Sequence, residues 1–369
     1  MSLSLDKLLE SGCQSEAKHK VCRSRGGESC AFDGAAIVLM PIADAAHVVH
    51  GPIVCAANSW EGRGVHSTAG DFHRRGFSTD LTELDIVYGG EAKLAQTVRE
   101  VVAREHPKAV FVYATCVSGL TGEDVDAVCA MLSAELWLPV IAVNAPGFVG
   151  PKNLGNRIAG ETLLEHVIGT AEPAERTPLD ITLIGEYNVA GDLDVVEPLL
   201  AEAGIRILSR ISGNATFAEI RHAHRAALNV VVCSRALINV AAGIRRKWDV
   251  PYLEASFFGA TETARSMRLI ADALEAASPE AAGVRERVER VIAAHEAELE
   301  PALAPYVEVL RGKKAVLYSG GVTSWSVASA LGDLGVEILA VGTKKSSVED
   351  EEKVRAVLGD DVRLIEDIS

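Results

Sequence analysis

Three cysteines stand where a thiolate has room to bind something. Cys30 lies in Gly26-Gly27-Glu28-Ser29-Cys30-Ala31-Phe32-Asp33-Gly34, and Cys55 in His50-Gly51-Pro52-Ile53-Val54-Cys55-Ala56-Ala57-Asn58. Small or turn-forming residues flank both, and thiolates at backbone turns with little bulk around them suit a metal or an iron–sulfur cluster. Cys116 follows the apolar run Ala109-Val110-Phe111-Val112-Tyr113-Ala114-Thr115. That run reads as a buried strand, so Cys116 sits at its carboxyl end, where open α/β sheets place ligands. No pair has the tight spacing of a ferredoxin or a zinc ribbon, and free cysteine is among the most buried residue types. Spacing alone leaves two readings open: metal ligands, or inert core thiols.

The other cysteines divide in the same way. Cys233 ends the run Asn229–Cys233, which also reads as a strand. Cys129 falls in a helical apolar pattern and reads as core. Cys13 and Cys22 lie in a polar amino-terminal stretch with Lys18-His19-Lys20 and read as bystanders to any metal site. Seven cysteines, an odd number in a 369-residue chain, argue against a disulfide framework and for metal or free thiols. A net charge of −15 disfavours nucleic acid and anionic membranes as partners. No apolar run has the length of a membrane span, and the amino terminus lacks a signal-peptide core, so a cytoplasmic location is expected. A hydrophobic content of 48% against 24% charged residues supports a sizeable core, and the length suggests two or three domains.

The elements that must position these thiols follow from periodicity. Residues 35–40 read as a strand, 43–49 as a short helix and 51–56 as a strand. Residues 61–90 are glycine-rich and read as loop. Helical period marks 91–105 and 123–133, and apolar runs mark strands at 108–114 and 138–144. A loop at 145–150 leads into a helix near 156–168, with Asn156 as its N-cap. After a linker at 172–177, strands are expected at 181–184, 205–208 and 229–233, and 262–310 reads as largely helical. A third alternation has strands at 314–318, 336–341 and near 362–364, with Ser319-Gly320-Gly321 as a tight turn or an anion-facing one. Strand–helix alternation of this kind builds parallel sheets with helices on their faces. The expected organisation is an irregular segment at 1–29, then three Rossmann-like α/β domains at 30–175, 178–310 and 311–369. The third is too thin to be complete.

Long strings in this order resemble the nitrogenase component 1 superfamily. They include Phe32-Asp33-Gly34-Ala35, His50-Gly51-Pro52, Ser59-Trp60 with Arg63, Thr115-Cys116-Val117 and Lys152-Asn153-Leu154-Gly155-Asn156-Arg157. Gly185-Glu186-Tyr187-Asn188, Ser256-Phe257-Phe258-Gly259, Ser324-Trp325-Ser326 and Gly342-Thr343-Lys344-Lys345-Ser346 extend the likeness to the last residues. The resemblance implies that Cys30, Cys55 and Cys116 bind a 4Fe-4S cluster at an interface, with a NifN-like partner supplying the fourth ligand. It implies that Cys233 holds a cofactor or its precursor.

Within the superfamily, the resemblance favours a cofactor-assembly scaffold over a catalytic subunit. The catalytic subunit has a Gln and a His facing the cofactor where this chain has Lys152 and Asn156. Asparagine does not titrate near neutrality, so it cannot replace histidine as a proton donor. Lys152 and Arg63 instead offer cations to an anionic cluster or an organic acid on it. The implied function is to hold an iron–sulfur precursor of the iron–molybdenum cofactor while molybdenum and homocitrate are added. The implied partners are a NifN-like subunit in an α₂β₂ assembly, NifB or another precursor carrier, the nitrogenase iron protein, and apo-nitrogenase as acceptor. A nitrogenase-like reductase and a vanadium-system scaffold are the alternatives. The family continues for roughly a hundred residues beyond position 369, which leaves the third domain open in this sequence.

Overall fold

The computed structural model describes residues 29–60, 76–188, 191–232, 234–318, 323–342 and 348–365. Arg63, Cys233, Cys13, Cys22 and the Ser319-Gly320-Gly321 turn lie outside these residues. The fold is α/β, with three sheets whose strands all pair in parallel and whose faces carry helices.

The first sheet has the order β2-β1-β3-β4, from β1 (Ala45–His50), β2 (Gly76–Ser78), β3 (Ala109–Ala114) and β4 (Val140–Val143). Around it run α1 (Ala31–Leu39), α2 (Ile53–Trp60), α3 (Glu83–Tyr88), α4 (Glu91–Glu105), α5 (Cys116–Thr121), α6 (Val125–Leu136) and α7 (Lys152–His166). The second sheet has the order β6-β5-β7-β8, from β5 (Asp180–Glu186), β6 (Arg206–Ser212), β7 (Leu228–Val231) and β8 (Tyr252–Glu254). Its helices are α8 (Leu193–Glu202), α9 (Phe217–His222), α10 (Ser234–Trp248), α11 (Ala260–Ala277) and α12 (Val284–Leu310). A three-stranded sheet follows, ordered β11-β10-β9, from β9 (Lys314–Leu317), β10 (Glu337–Gly342) and β11 (Arg363–Ile365), with α13 (Thr323–Asp333) and α14 (Val348–Leu358).

One core cluster runs from α1 and the first sheet through α7 and α10 to Ile184, Ile211 and Val231 of the second sheet. The two four-stranded sheets therefore share apolar packing. Separate clusters fill the far side of each of them.

Three elements around the first two thiols differ from the sequence expectation. Residues 31–39 are a helix, where 35–40 read as a strand; 45–50 are a strand, where 43–49 read as a helix; 53–60 are a helix, where 51–56 read as a strand. For the first two the cause is burial on all sides. All six residues of β1 are buried, and seven of the nine in α1 are. A segment with no solvent face shows neither the 2.0 nor the 3.6 period, and an apolar run alone cannot separate strand from buried helix.

Candidate metal centre

β1 and β3 are neighbours in exact step, from Ala45 opposite Ala109 to His50 opposite Ala114. Both therefore end at the same level. The chain leaving each one turns into a helix that begins with a cysteine close to its start: Cys55 is the third residue of α2 and Cys116 the first of α5. Cys30 is the N-cap of α1. All three thiols thus lie at helix amino termini.

The three converge. A Cβ on Gly147 would stand 2.9 Å from the Cys116 sulfur and 3.0 Å from the Cys30 sulfur, so only glycine leaves both sulfurs their place. Burial pushes the Cys55 thiol up, and the neighbouring Cys116 and Cys30 push it further. Three thiolates together repel one another, and a cationic metal group among them reverses that repulsion. Each is half-buried, within reach of an incoming group.

Two glycines fix Cys30. A Cβ at Gly34 would lie 2.0 Å from the Lys152 carbonyl oxygen, and one at Gly155 would lie 1.8 Å from that of Ala31. α1 and α7 can cross this closely only with glycine at both points. Backbone bonds from Ala31 N to Gly150 O (2.9 Å) and from Lys152 N to Ser29 O (2.9 Å) tie the two helix starts together.

Among the described residues, no three His, Cys, Asp or Glu side chains stand close enough to hold a single metal ion. The donor set instead fits a wider group: three thiolates around a cradle, one short of the four that a cysteine-ligated iron–sulfur cluster takes. An apolar rim lies on the elements beside the site. Ile53 and Val54 precede Cys55, Leu120 follows Cys116, Phe148 packs over α5, and Leu84 and Tyr88 project from α3; all are exposed. Exposed apolar patches of this kind mark protein interfaces.

Lys152 and Asn156 lie on α7, one turn apart. The helix starts at Lys152 with Pro151 as its N-cap, so Asn156 is inside the helix rather than capping it. Asn156 is only 5% exposed, and its Oδ1 has no partner among the described residues. Lys152 is exposed at the first helical position, where a cation opposes the dipole. Helix stability does not account for it. At the carboxyl end of β5, burial pushes the Glu186 carboxyl up, although it accepts the Asn188 N–H at 2.6 Å.

His50 was legible only as part of a motif. It is fully buried at the end of β1, with its ring between Glu123 and Thr79. An open groove of about 660 Å³ between α8 and β6 is lined by Arg206 and Arg210, but carboxylates hold both: Asp180 on Arg206, Glu197 on Arg210. No helix among the described residues is long and apolar enough to cross a membrane.

Comparison with known proteins agrees with this architecture. A relative from Nostoc sp., named nitrogenase iron-molybdenum cofactor biosynthesis protein NifE, is 50% identical over 372 residues, covering 97% of this chain and 76% of the relative. A protein of the same name from Klebsiella pneumoniae is 48% identical over 348 residues, covering 92% of this chain and 75% of that one. The solved structure of nitrogenase Cp1 at pH 6.5 matches with a TM-score of 0.81 at 31% identity, over 93% of this chain and 70% of that one. The profile of the nitrogenase component 1 type oxidoreductases matches residues 30–369, and the chain belongs to that family.

Proposed function

We propose that this chain is a scaffold subunit for assembling the nitrogenase iron–molybdenum cofactor, working with a NifN-like partner. The observation that carries the reading is Asn156. The resemblance sets it where the catalytic subunit has a histidine, and here stands a buried amide whose oxygen has no partner among the described residues. An amide orients a cargo by hydrogen bonding but supplies no proton at neutral pH. Lys152, one turn away, adds a cation suited to an anionic cargo. The relatives named for cofactor biosynthesis, at 48–50% identity, support the same class of function.

In this reading Cys30, Cys55 and Cys116 hold a resident 4Fe-4S cluster, and the partner closes the apolar rim and gives the fourth thiolate. Such a cluster, when bound, supplies single electrons. The chain's own part is to hold three thiolates at helix amino termini and to keep bulk out at Gly147. The cargo is an iron–sulfur precursor, brought by NifB or another carrier and gripped by Cys233. Arg63 and Lys152 balance the charge of homocitrate as molybdenum is added with the iron protein present. Apo-nitrogenase then accepts the finished cofactor from an α₂β₂ assembly.

The likeness to nitrogenase Cp1 favours a second reading, a reductase with turnover of its own. One experiment separates them. The partnered complex is loaded with precursor and given molybdate, homocitrate, the iron protein and ATP. Activation of cofactor-free nitrogenase and acetylene reduction by the complex itself are both measured. The scaffold predicts activation that is lost in Cys233→Ala, with little intrinsic reduction. Sustained intrinsic reduction without transfer overturns it.

A further inference from the structure

His50 and Glu123 form a buried pair beside the cysteine site, and their bonds reach both turns that carry a cysteine. The His50 backbone carbonyl accepts from Thr115 Oγ1 at 2.9 Å and from Ser118 Oγ at 3.0 Å, one residue before and two after Cys116. The next residue, Gly51, donates its N–H to Thr79 Oγ1 at 3.1 Å and opens the turn to Cys55. A Cβ on Gly51 would stand 2.2 Å from Thr115 Oγ1, so the two turns lie against each other.

The His50 ring spans the same gap. Its Nε2 bonds Glu123 Oε2, and its Nδ1 faces Thr79 Oγ1 at 3.1 Å. Glu123 lies just past α5, the Cys116 helix, and its other oxygen accepts from Gly90 N at 3.2 Å and Thr121 Oγ1 at 3.1 Å. His50 is therefore tied through its carbonyl to the start of α5, through Nε2 to the end of α5, and through Thr79 to the turn toward Cys55. The ring cannot tilt without shifting one cysteine-bearing turn against the other.

A Glu123 side-chain oxygen accepts from the Nε2–H, and Thr79 Oγ1, which accepts the Gly51 N–H, turns its hydroxyl to Nδ1. The pair connects the two turns.

We propose that His50, clamped by Glu123 and Thr79, is a positioning residue that sets the spacing between Cys55 and Cys116. The proposal rests on the reading of those cysteines as cluster ligands. Groups one step behind metal ligands commonly change metal affinity ten-fold or more when removed.

The test uses the partnered complex, purified without oxygen, with His50→Ala, Glu123→Ala, Glu123→Gln and Thr79→Val. Iron content, the EPR line shape of the reduced cluster, the rate of iron loss to a chelator, the melting midpoint and the sedimentation of the complex are read for each. Wild-type complex without iron or signal removes the cluster reading itself. Given a wild-type cluster, His50→Ala and Glu123→Ala are expected to lose iron to chelator about ten-fold faster, with an altered EPR line shape. Glu123→Gln is expected to restore both, because its amide donates to Nε2 and the ring proton moves to Nδ1, facing Thr79. Thr79→Val keeps the shape of the site and is the deciding variant if the alanine proteins fail to assemble; an altered line shape at unchanged melting supports the proposal. Wild-type line shape and chelation rate in the assembled variants, or Glu123→Gln behaving like Glu123→Ala, overturn it.

Discussion

Cys116 and Cys129 lie on successive helices beside the first sheet, yet they sit in different media. Cys129 lies on the flank, among Val98, Val112 and Leu132, and is 3% exposed. Burial, aided by the charge of Asp126, pushes its thiol up to about 12. Cys116 lies at the carboxyl edge, half-buried, as the first residue of a helix, with Cys30 and Cys55 close by. The residue type is the same in both places. The flank gives a thiol apolar neighbours and nothing to stabilise its charge. The edge gives it helix amino termini, a glycine cradle and room for an incoming group. Position at the strand end, not the cysteine itself, separates a candidate ligand from packing material.

The comparison breaks most severely if the edge is not held rigidly, and Gly155 tests that. Gly155→Ala gains about 1 kcal/mol of helix propensity. Against this, the new Cβ would stand 1.8 Å from the Ala31 carbonyl oxygen, a backbone atom that cannot swing away. Overpacking at such a point costs about 3 kcal/mol. The clash wins, and a net loss of about 2 kcal/mol is expected in urea unfolding. The same shift displaces Cys30 at the start of α1, so iron content in the partnered complex should fall as well. An unchanged unfolding midpoint with full iron would mean that α1 and α7 adjust freely and that the edge is not rigid.

Legibility in the sequence follows the same division. Helix α4 and strand β3 were readable. α4 buries Leu94, Ala95, Val98 and Val101 along one stripe, and β3 is a bounded run of apolar residues. α1 and β1 were exchanged because both are buried nearly throughout. The cysteines were readable by type, and Cys116 by its strand. Their shared place at helix starts was not, because it depends on α1 and α2 being helices. Gly34 and Gly155 were visible as letters in matching strings, but their reason is a contact between helices far apart in sequence. The His50–Glu123 pair spans 73 positions and leaves no local mark.

A smaller effect sharpens the comparison from the flank. The folded Cys129 thiol lies near 12, above its ordinary value of 9.0. A raised value means that the folded state keeps its proton while the unfolded chain loses it above pH 9. The contribution is therefore fully present below pH 9 and is lost as pH rises toward 12. At pH 10 the loss is about 1 kcal/mol. Unfolding free energies at pH 8 and pH 10 should fall more steeply in the wild type than in Cys129→Ala, where ionisations common to both cancel. Equal slopes would place Cys129 in a wetter setting than its burial indicates, and the contrast with the edge would weaken.

The smallest effect on the chain itself is expected at the rim. Tyr88 is 83% exposed on α3 and Trp137 is 94% exposed at the end of α6, so neither supports the core. Changing either to serine should alter the unfolding free energy of the chain by less than about 0.5 kcal/mol. They differ in their neighbours. Tyr88 lies with Leu84 on α3, which touches α5, the helix that starts at Cys116 and carries Leu120, whereas Trp137 follows the flank helix that carries Cys129. If the edge is completed by a NifN-like chain, Tyr88 is an aromatic anchor of that interface, and truncating such an anchor costs about 2 kcal/mol of binding, or roughly thirty-fold in affinity. Trp137→Ser should leave assembly unchanged. Sedimentation of each variant over a dilution series with the partner measures the difference. Equal assembly of the two variants would detach the apolar rim from partner binding. The three cysteines would then need a fourth ligand from elsewhere.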